Sequence, residues 1–224
     1  MQYGLFARRR KLTVASWLLG LALAVVPAAA EEPVTVAVLG DSLVAGYGLA
    51  QEEGFVPQMQ RWLDERGIEA RLINAGVSGD TTAGGLARVA WTLTPEVDAL
   101  VVSLGGNDVL RGIPPEAARK NLQGILQAAR VRGLPVLLVG IQAPGNYGPD
   151  YKQAFEAIYP DLARRFDTLL YPSFLQALTG NPEVSASPAD FLQADFLHPN
   201  ARGVALIVQD MGPVLAELVA LARH

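Results

Sequence analysis

The chain has 224 residues, with 18 Lys and Arg against 22 Asp and Glu, two His and no Cys. The absence of Cys excludes disulfides, thiolate zinc sites and a lipidated N-terminal Cys, and two His argue against a His-rich metal site. The acidic balance argues against nucleic acid or an anionic membrane as partner.

In chain order, Arg8, Arg9, Arg10 and Lys11 precede an apolar segment from Val14 to Val26, and Ala28-Ala29-Ala30 offers a small-residue cleavage site before Glu31. These are the three parts of a secretory signal, and the apolar segment is shorter than the ~20 residues that span a bilayer as a helix. Residues 1–30 are therefore expected to be a signal peptide cleaved after Ala30, leaving a periplasmic or secreted protein with no stable membrane insertion. Cleavage removes four basic and no acidic residues, so 194 residues remain, with 14 basic against 22 acidic and a formal charge of −8. No linker or repeat divides 31–224, and that length buries a core as one domain; a monomer is the default expectation.

Strand-length apolar runs then alternate with segments of helical period. The strand candidates are 34–39 "VTVAVL", 69–75 "EARLINA", 98–104 "DALVVSL", 135–141 "PVLLVGI" and 167–172 "DTLLYP". The first, third and fourth are nearly continuous apolar runs, as strands covered on both faces require. Phe55, Met59, Trp62 and Leu63 recur at helical spacing before Gly67, and Pro115 opens a run with Leu122, Ile125, Leu126 and Ala129 on one face before Gly133. Segments 151–166 and 200–222 also read as helices. This alternation predicts an α/β fold, an open five-stranded parallel sheet with helices on both sides, whose ligand sits outside the carboxyl ends of the strands.

The loops at those ends carry the polar signals. After the first strand, "LGDSLVAGYGL" (39–49) places Ser42 where a hydroxyl is ordinary turn chemistry and can also serve as a nucleophile. After the second, "NAGVSGDTTAGG" (74–85) has glycines that free backbone N–H groups to face a ligand, and Thr81 or Thr82 can cap the next helix. No G-x-x-x-x-G-K-[ST] or G-x-G-x-x-G pattern supports phosphate binding there. The third strand ends in "LGGNDVLRG" (104–112), where Asn107 and Asp108 either cap a turn or, for Asn107, aim an amide at a developing oxyanion. Segment 142–150, "QAPGNYGPD", follows the fourth strand and is expected to line a substrate pocket, with Asn146 and Tyr147 as the contacting residues. Near the C-terminus "QADFLHPN" (193–200) sets Asp195 three positions before His198, the only His between the leader and the last residue, so a neutral-pH general base of the usual type must be His198.

Taken in order, "GDSL" at 40–43, Gly79 in "SGDTT", "GGND" at 105–108 and "DFLHP" at 195–199 resemble the four sequence blocks of the SGNH or GDSL hydrolase superfamily. With "LRG" at 110–112, "NYG" at 146–148 and "AIYP" at 157–160, the chain is similar over 34–212 to its exported thioesterase I, lysophospholipase L1 and arylesterase branch. The resemblance implies a three-layer α/β/α sandwich of flavodoxin-like type. It implies Ser42 as nucleophile, His198 as general base and then acid, and Asp195 as the group that orients His198. It further implies an oxyanion hole of the Ser42 and Gly79 backbone N–H groups with the Asn107 amide, a mechanism without cofactor or metal, and an acyl ester, thioester or lysophospholipid as substrate. The α/β-hydrolase elbow G-x-S-x-G is absent, because Val44 stands where its second Gly belongs. A carbohydrate or peptidoglycan O-acetylesterase with the same triad and a non-catalytic binding module are the alternative readings.

Overall fold

The computed structural model describes residues 32–224, together with Met1, Gln2 and Gly4; the expected signal peptide falls largely outside the described residues. Five strands, β1 (Val34–Gly40), β2 (Ala70–Gly76), β3 (Ala99–Ser103), β4 (Val136–Val139) and β5 (Leu169–Tyr171), form one parallel sheet in the order β2-β1-β3-β4-β5. The helices are α1 (Ser42–Ala45), α2 (Phe55–Asp64), α3 (Thr82–Thr92), α4 (Gly106–Leu110), α5 (Pro115–Val131), α6 (Pro149–Glu156), α7 (Ile158–Phe166), α8 (Pro182–Ala186) and α9 (Ala201–Ala222).

Strand side chains alternate between two buried layers, the period-2 consequence of the pleat. Val34, Val36, Val38, Ala99, Val101, Leu137 and Val139 pack with Met59 and Leu63 of α2 and with Ile207, Met211 and Leu215 of α9. Ala37, Leu39, Leu100, Val102 and Leu138 pack on the other face with Val89 of α3, Leu122 and Ile125 of α5 and Leu162 of α7. Helices on both faces explain why these strands read as continuous apolar runs rather than as an alternation with polar residues.

Two sequence expectations shift in detail. Segment 151–166 is two helices meeting at Ala157 rather than one. Pro160 has no N–H to donate to the carbonyl four residues back, which interrupts the ladder near that point. The last strand begins at Leu169 because Asp167 adopts a left-handed conformation, φ +54°, that ends α7.

Register sets the site. Gly40, the last residue of β1, lies opposite Gly76 of β2 and Ser103 of β3, so three chains leave the sheet at one level. The strand order reverses at β1, since β2 lies on one side of it and β3 on the other. That is the switch point at which open parallel sheets gather ligands.

Candidate active site

Three of the expected site residues follow from that register. Ser42 is the first residue of α1, two positions beyond β1. Gly40 permits this short turn, since a Cβ there would stand 2.3 Å from Val44 Cγ2. Asp41 caps α1, accepting a hydrogen bond from the Leu43 N–H at 3.1 Å. Gly79 has φ +82°, a left-handed conformation that disfavours any side chain and turns the peptide between β2 and α3. Asn107 lies in α4 just after β3, and its Nδ2 donates to the Asp80 carbonyl at 2.9 Å. That bond uses one of two amide hydrogens and fixes the side chain, leaving the second for another acceptor.

Asp108 does not cap its own turn. It is fully buried and accepts from both the N–H and the hydroxyl of Thr82, at 2.8 and 2.5 Å, tying α4 to the start of α3. Thr81 is the cap of α3, accepting from the Gly84 N–H.

The fourth contribution comes from far along the chain. His198 Nε2 lies 2.9 Å from Ser42 Oγ, and its Nδ1 lies 2.7 Å from Asp195 Oδ2. Asp195 Oδ1 accepts from the Leu197 and His198 N–H groups at 2.9 and 3.0 Å. The backbone N–H of His198, its ring and the Leu197 N–H hold the Asp195 carboxyl down at about 2. An ionised carboxylate only accepts, so Nδ1 carries the ring proton and Nε2 is left to take the one on Ser42 Oγ. The loop is anchored on α9, whose cap Asn200 accepts from the Arg202 and Gly203 N–H groups two residues beyond His198.

Ser42, Gly79, Asn107 and His198 all line one cavity of about 510 Å³. Its walls beyond the polar cluster are largely apolar, with Val109, Leu110, Ile141, Phe174 and Leu175 among them. Of segment 142–150, Gln142, Ala143 and Pro144 line the cavity, whereas Asn146 and Tyr147 do not. Tyr147 packs beside Tyr151 with ring centroids 5.1 Å apart, and its hydroxyl lies 3.4 Å from the Leu110 carbonyl. The loop thus meets the cavity at Gln142, Ala143 and Pro144.

Sequence reasoning missed several contributors. Asp41 is 2% exposed, and burial pushes its carboxyl up to about 6, against the pull of the Leu43 N–H and of His198. Tyr47 lies with its ring 4.8 Å from that of His198, tilted by 42°. Gln193 Nε2 donates to the Tyr47 carbonyl at 2.8 Å and the Pro199 carbonyl at 3.0 Å, bridging the serine and histidine loops. Asp41 was visible as the neighbour of Ser42, but its burial was not; the roles of Tyr47 and Gln193 depend on pairings across about 150 residues that no local pattern announces.

Residues 38–206 match the GDSL-like Lipase/Acylhydrolase family. The chain is 41% identical over 205 residues to Esterase TesA of Pseudomonas aeruginosa, covering 91% of this chain and 97% of that one. It is 37% identical over 186 residues to Thioesterase 1/protease 1/lysophospholipase L1 of Escherichia coli K12, covering 83% and 85%. Among solved structures it resembles AlinE4, an SGNH-hydrolase family esterase, with a TM-score of 0.68 at 43% identity over 84% of this chain and 98% of that one.

Proposed function

The chain belongs to the GDSL-like lipase/acylhydrolase family and is a hydrolase of ester bonds, and on that premise we propose that Ser42 is its nucleophile and acyl esters its substrates. The observation that carries the reading is the continuous relay from Ser42 Oγ through His198 to Asp195, at 2.9 and 2.7 Å, opening on an apolar cavity. Ser42 Oγ bonds to the substrate carbonyl carbon as His198 Nε2 takes its proton. The Ser42 and Gly79 N–H groups and the Asn107 amide receive the negative oxygen. The tetrahedral adduct then expels the alcohol or thiol, which takes the proton from the imidazolium. Water, activated by the same imidazole, releases the acid from acyl-Ser42. Every step is served by side chains and backbone of this chain.

The apolar walls favour an acyl chain over an acetyl group. A buried methylene is worth about 0.8 kcal/mol, so kcat/KM is expected to rise up to about fourfold per added carbon until the cavity is filled. Fluorophosphonate labelling followed by peptide mass spectrometry tests the nucleophile: label on Ser42, lost in Ser42→Ala and suppressed in His198→Ala, is expected. No labelling would return the protein to a binding role. A chain-length series of p-nitrophenyl esters, acyl-CoA thioesters and lysophospholipids tests the substrate; highest activity on acetylated sugars would replace the acyl reading with an O-acetylesterase.

Residues 1–30 are, in this reading, an export signal, supported by the basic cluster at 8–11, the apolar run and Ala28-Ala29-Ala30. A mature N-terminus at Glu31, found by mass spectrometry of the exported protein, is the expected result.

A further inference from the structure

Arg88 lies on α3, seven residues after Thr81 caps that helix. Its guanidinium makes three bonds in three directions. Nε donates to Asp80 Oδ2 at 2.7 Å, Nη1 to the Ala75 carbonyl at 2.7 Å and Nη2 to the Gly40 carbonyl at 2.9 Å. Gly40 ends β1 two residues before Ser42, while Ala75 and Asp80 bracket Gly79. The Asp80 carbonyl in turn accepts from Asn107 Nδ2, and the Gly40 carbonyl also accepts from the Val77 N–H at 3.0 Å. One rigid fork of donors therefore holds the backbone leading to Ser42 and to Gly79, and grips the side chain of Asp80, whose carbonyl receives the Asn107 amide.

We propose that Arg88 is a positioning residue for the oxyanion hole, fixing the Ser42, Gly79 and Asn107 donors relative to one another across the ends of β1 and β2. This rests on the reading of those three groups as oxyanion donors. The guanidinium is planar with its N–H directions fixed, so the three acceptors it binds are held at set spacing. Its side chain is 23% exposed and that of Asp80 13%, a partly desolvated setting in which charge-assisted hydrogen bonds are stronger than in water. Oxyanion stabilisation depends on donors aimed at the position the oxygen reaches in the transition state, so a small loosening acts on chemistry before it acts on ground-state binding. A brace with no such role would affect the melting temperature and the yield of folded enzyme, and leave turnover per active site unchanged.

Arg88→Met and Arg88→Lys test this, with active sites counted by fluorophosphonate titration. For Arg88→Met the expected fall in kcat is about 10- to 100-fold, somewhat less than the loss of one donor outright, with KM within about threefold. The Ki of an alkylboronic acid, which forms an anionic tetrahedral adduct on Ser42, is expected to rise with the fall in kcat/KM. The Ki of an alkyl alcohol of equal length is expected to stay put. Arg88→Lys recovers part of the loss, because an ammonium keeps the charge beside Asp80 and lacks the fork for both carbonyls. A kcat within twofold of wild type, or boronate and alcohol Ki values rising together, overturns the inference. Should Arg88→Met not fold, Arg88→Lys and Asp80→Asn carry the same boronate-to-alcohol comparison. Wild-type enzyme that takes no label on Ser42 would sink the serine reading itself, whereas normal labelling with unaltered Arg88 variants would sink the positioning role alone.

Discussion

The two sides of the site are built by different means. On the serine side, β1, β2 and β3 end level, and the loops carrying Ser42, Gly79 and Asn107 leave the sheet side by side. On the histidine side, the stretch between β5 and α9 holds the five-residue α8, a three-residue helical turn at Pro188–Asp190 and an isolated bridge between Leu192 and Pro199, with no strand ladder. His198 is held there by one backbone bond, from the Gln193 N–H to its carbonyl at 2.8 Å, and by side chains: Asp195 on its ring, Gln193 across to Tyr47, and the Asn200 cap behind it. Phe196, between Asp195 and His198, even adopts a left-handed φ of +53°, a conformation that costs a non-glycine residue roughly 1 to 2 kcal/mol. Placement on the serine side is thus a product of sheet register shared by many bonds. Placement on the histidine side rests on few bonds, each worth about 0.5 to 3 kcal/mol, so single substitutions there should act on geometry directly.

Asp195→Asn should break the histidine side most severely. Asn presents either an amide N–H or a carbonyl to Nδ1, and the charge that stabilises the imidazolium is gone, so kcat is expected to fall by about 10³ to 10⁴. Steady-state kinetics on a p-nitrophenyl ester, with the fold checked by circular dichroism, measures it; a loss under tenfold would remove Asp195 from the relay. The pH response has a defined sign as well. The Asp195 carboxyl sits at about 2 in the folded protein and near 3.9 when unfolded, so its stabilising share is present above about pH 4 and fades as pH falls towards 2. On the serine side, Asn107→Ala removes one donor and leaves the register intact. Its expected cost is about 10² to 10³ in kcat with little change in KM, and a change confined to KM would reassign Asn107 to ground-state binding.

The same contrast explains what the sequence disclosed. The sheet, its parallel sense and the boundaries of β1 and α5 followed from continuous apolar runs and from Pro115, because local pattern and burial agree there. Ser42, Gly79, Asn107, Asp195 and His198 were legible as residue types at strand ends, and the resemblance assigned their roles. In segment 142–150 two Pro and two Gly say where the chain turns without saying that Gln142, Ala143 and Pro144 are the residues that line the cavity. Arg88 carried no signal of its own in the sequence. Its three acceptors come from β1, β2 and the loop after β2, and only the register brings them within reach.

Gln193→Ala sharpens the comparison at smaller scale. It removes the hydrogen bond that joins the histidine loop to the Tyr47 carbonyl and a second one, within the histidine loop, to the Pro199 carbonyl, a loss of about 1 to 3 kcal/mol in all. Roughly a tenfold drop in kcat/KM is expected, with an unchanged pH midpoint, because the Asp195–His198 bond is untouched. A shifted midpoint would show that Gln193 acts on the imidazole's charge rather than on its position.

Asp41→Asn should affect catalysis least and the pH dependence of stability most clearly. An amide oxygen can still accept from the Leu43 N–H, so the cap survives and kcat at pH 7 is expected within a few-fold of wild type. The native carboxyl is buried and titrates at about 6 beside His198 and Asp80, against about 3.9 in the unfolded chain. Below about pH 4 both states hold the proton and the group is neutral in its effect. As pH rises to about 6 the unfolded chain releases it first, so wild-type stability declines across that window, by on the order of 2 to 3 kcal/mol. Asn has nothing to titrate. The variant should therefore match wild type near pH 4 and exceed it in melting temperature at pH 7, and parallel curves across the window would mean that Asp41 is ionised in its buried place and compensated there. Either result bears on the two sides together, since the charge in question sits one residue from the nucleophile and within the field of the histidine.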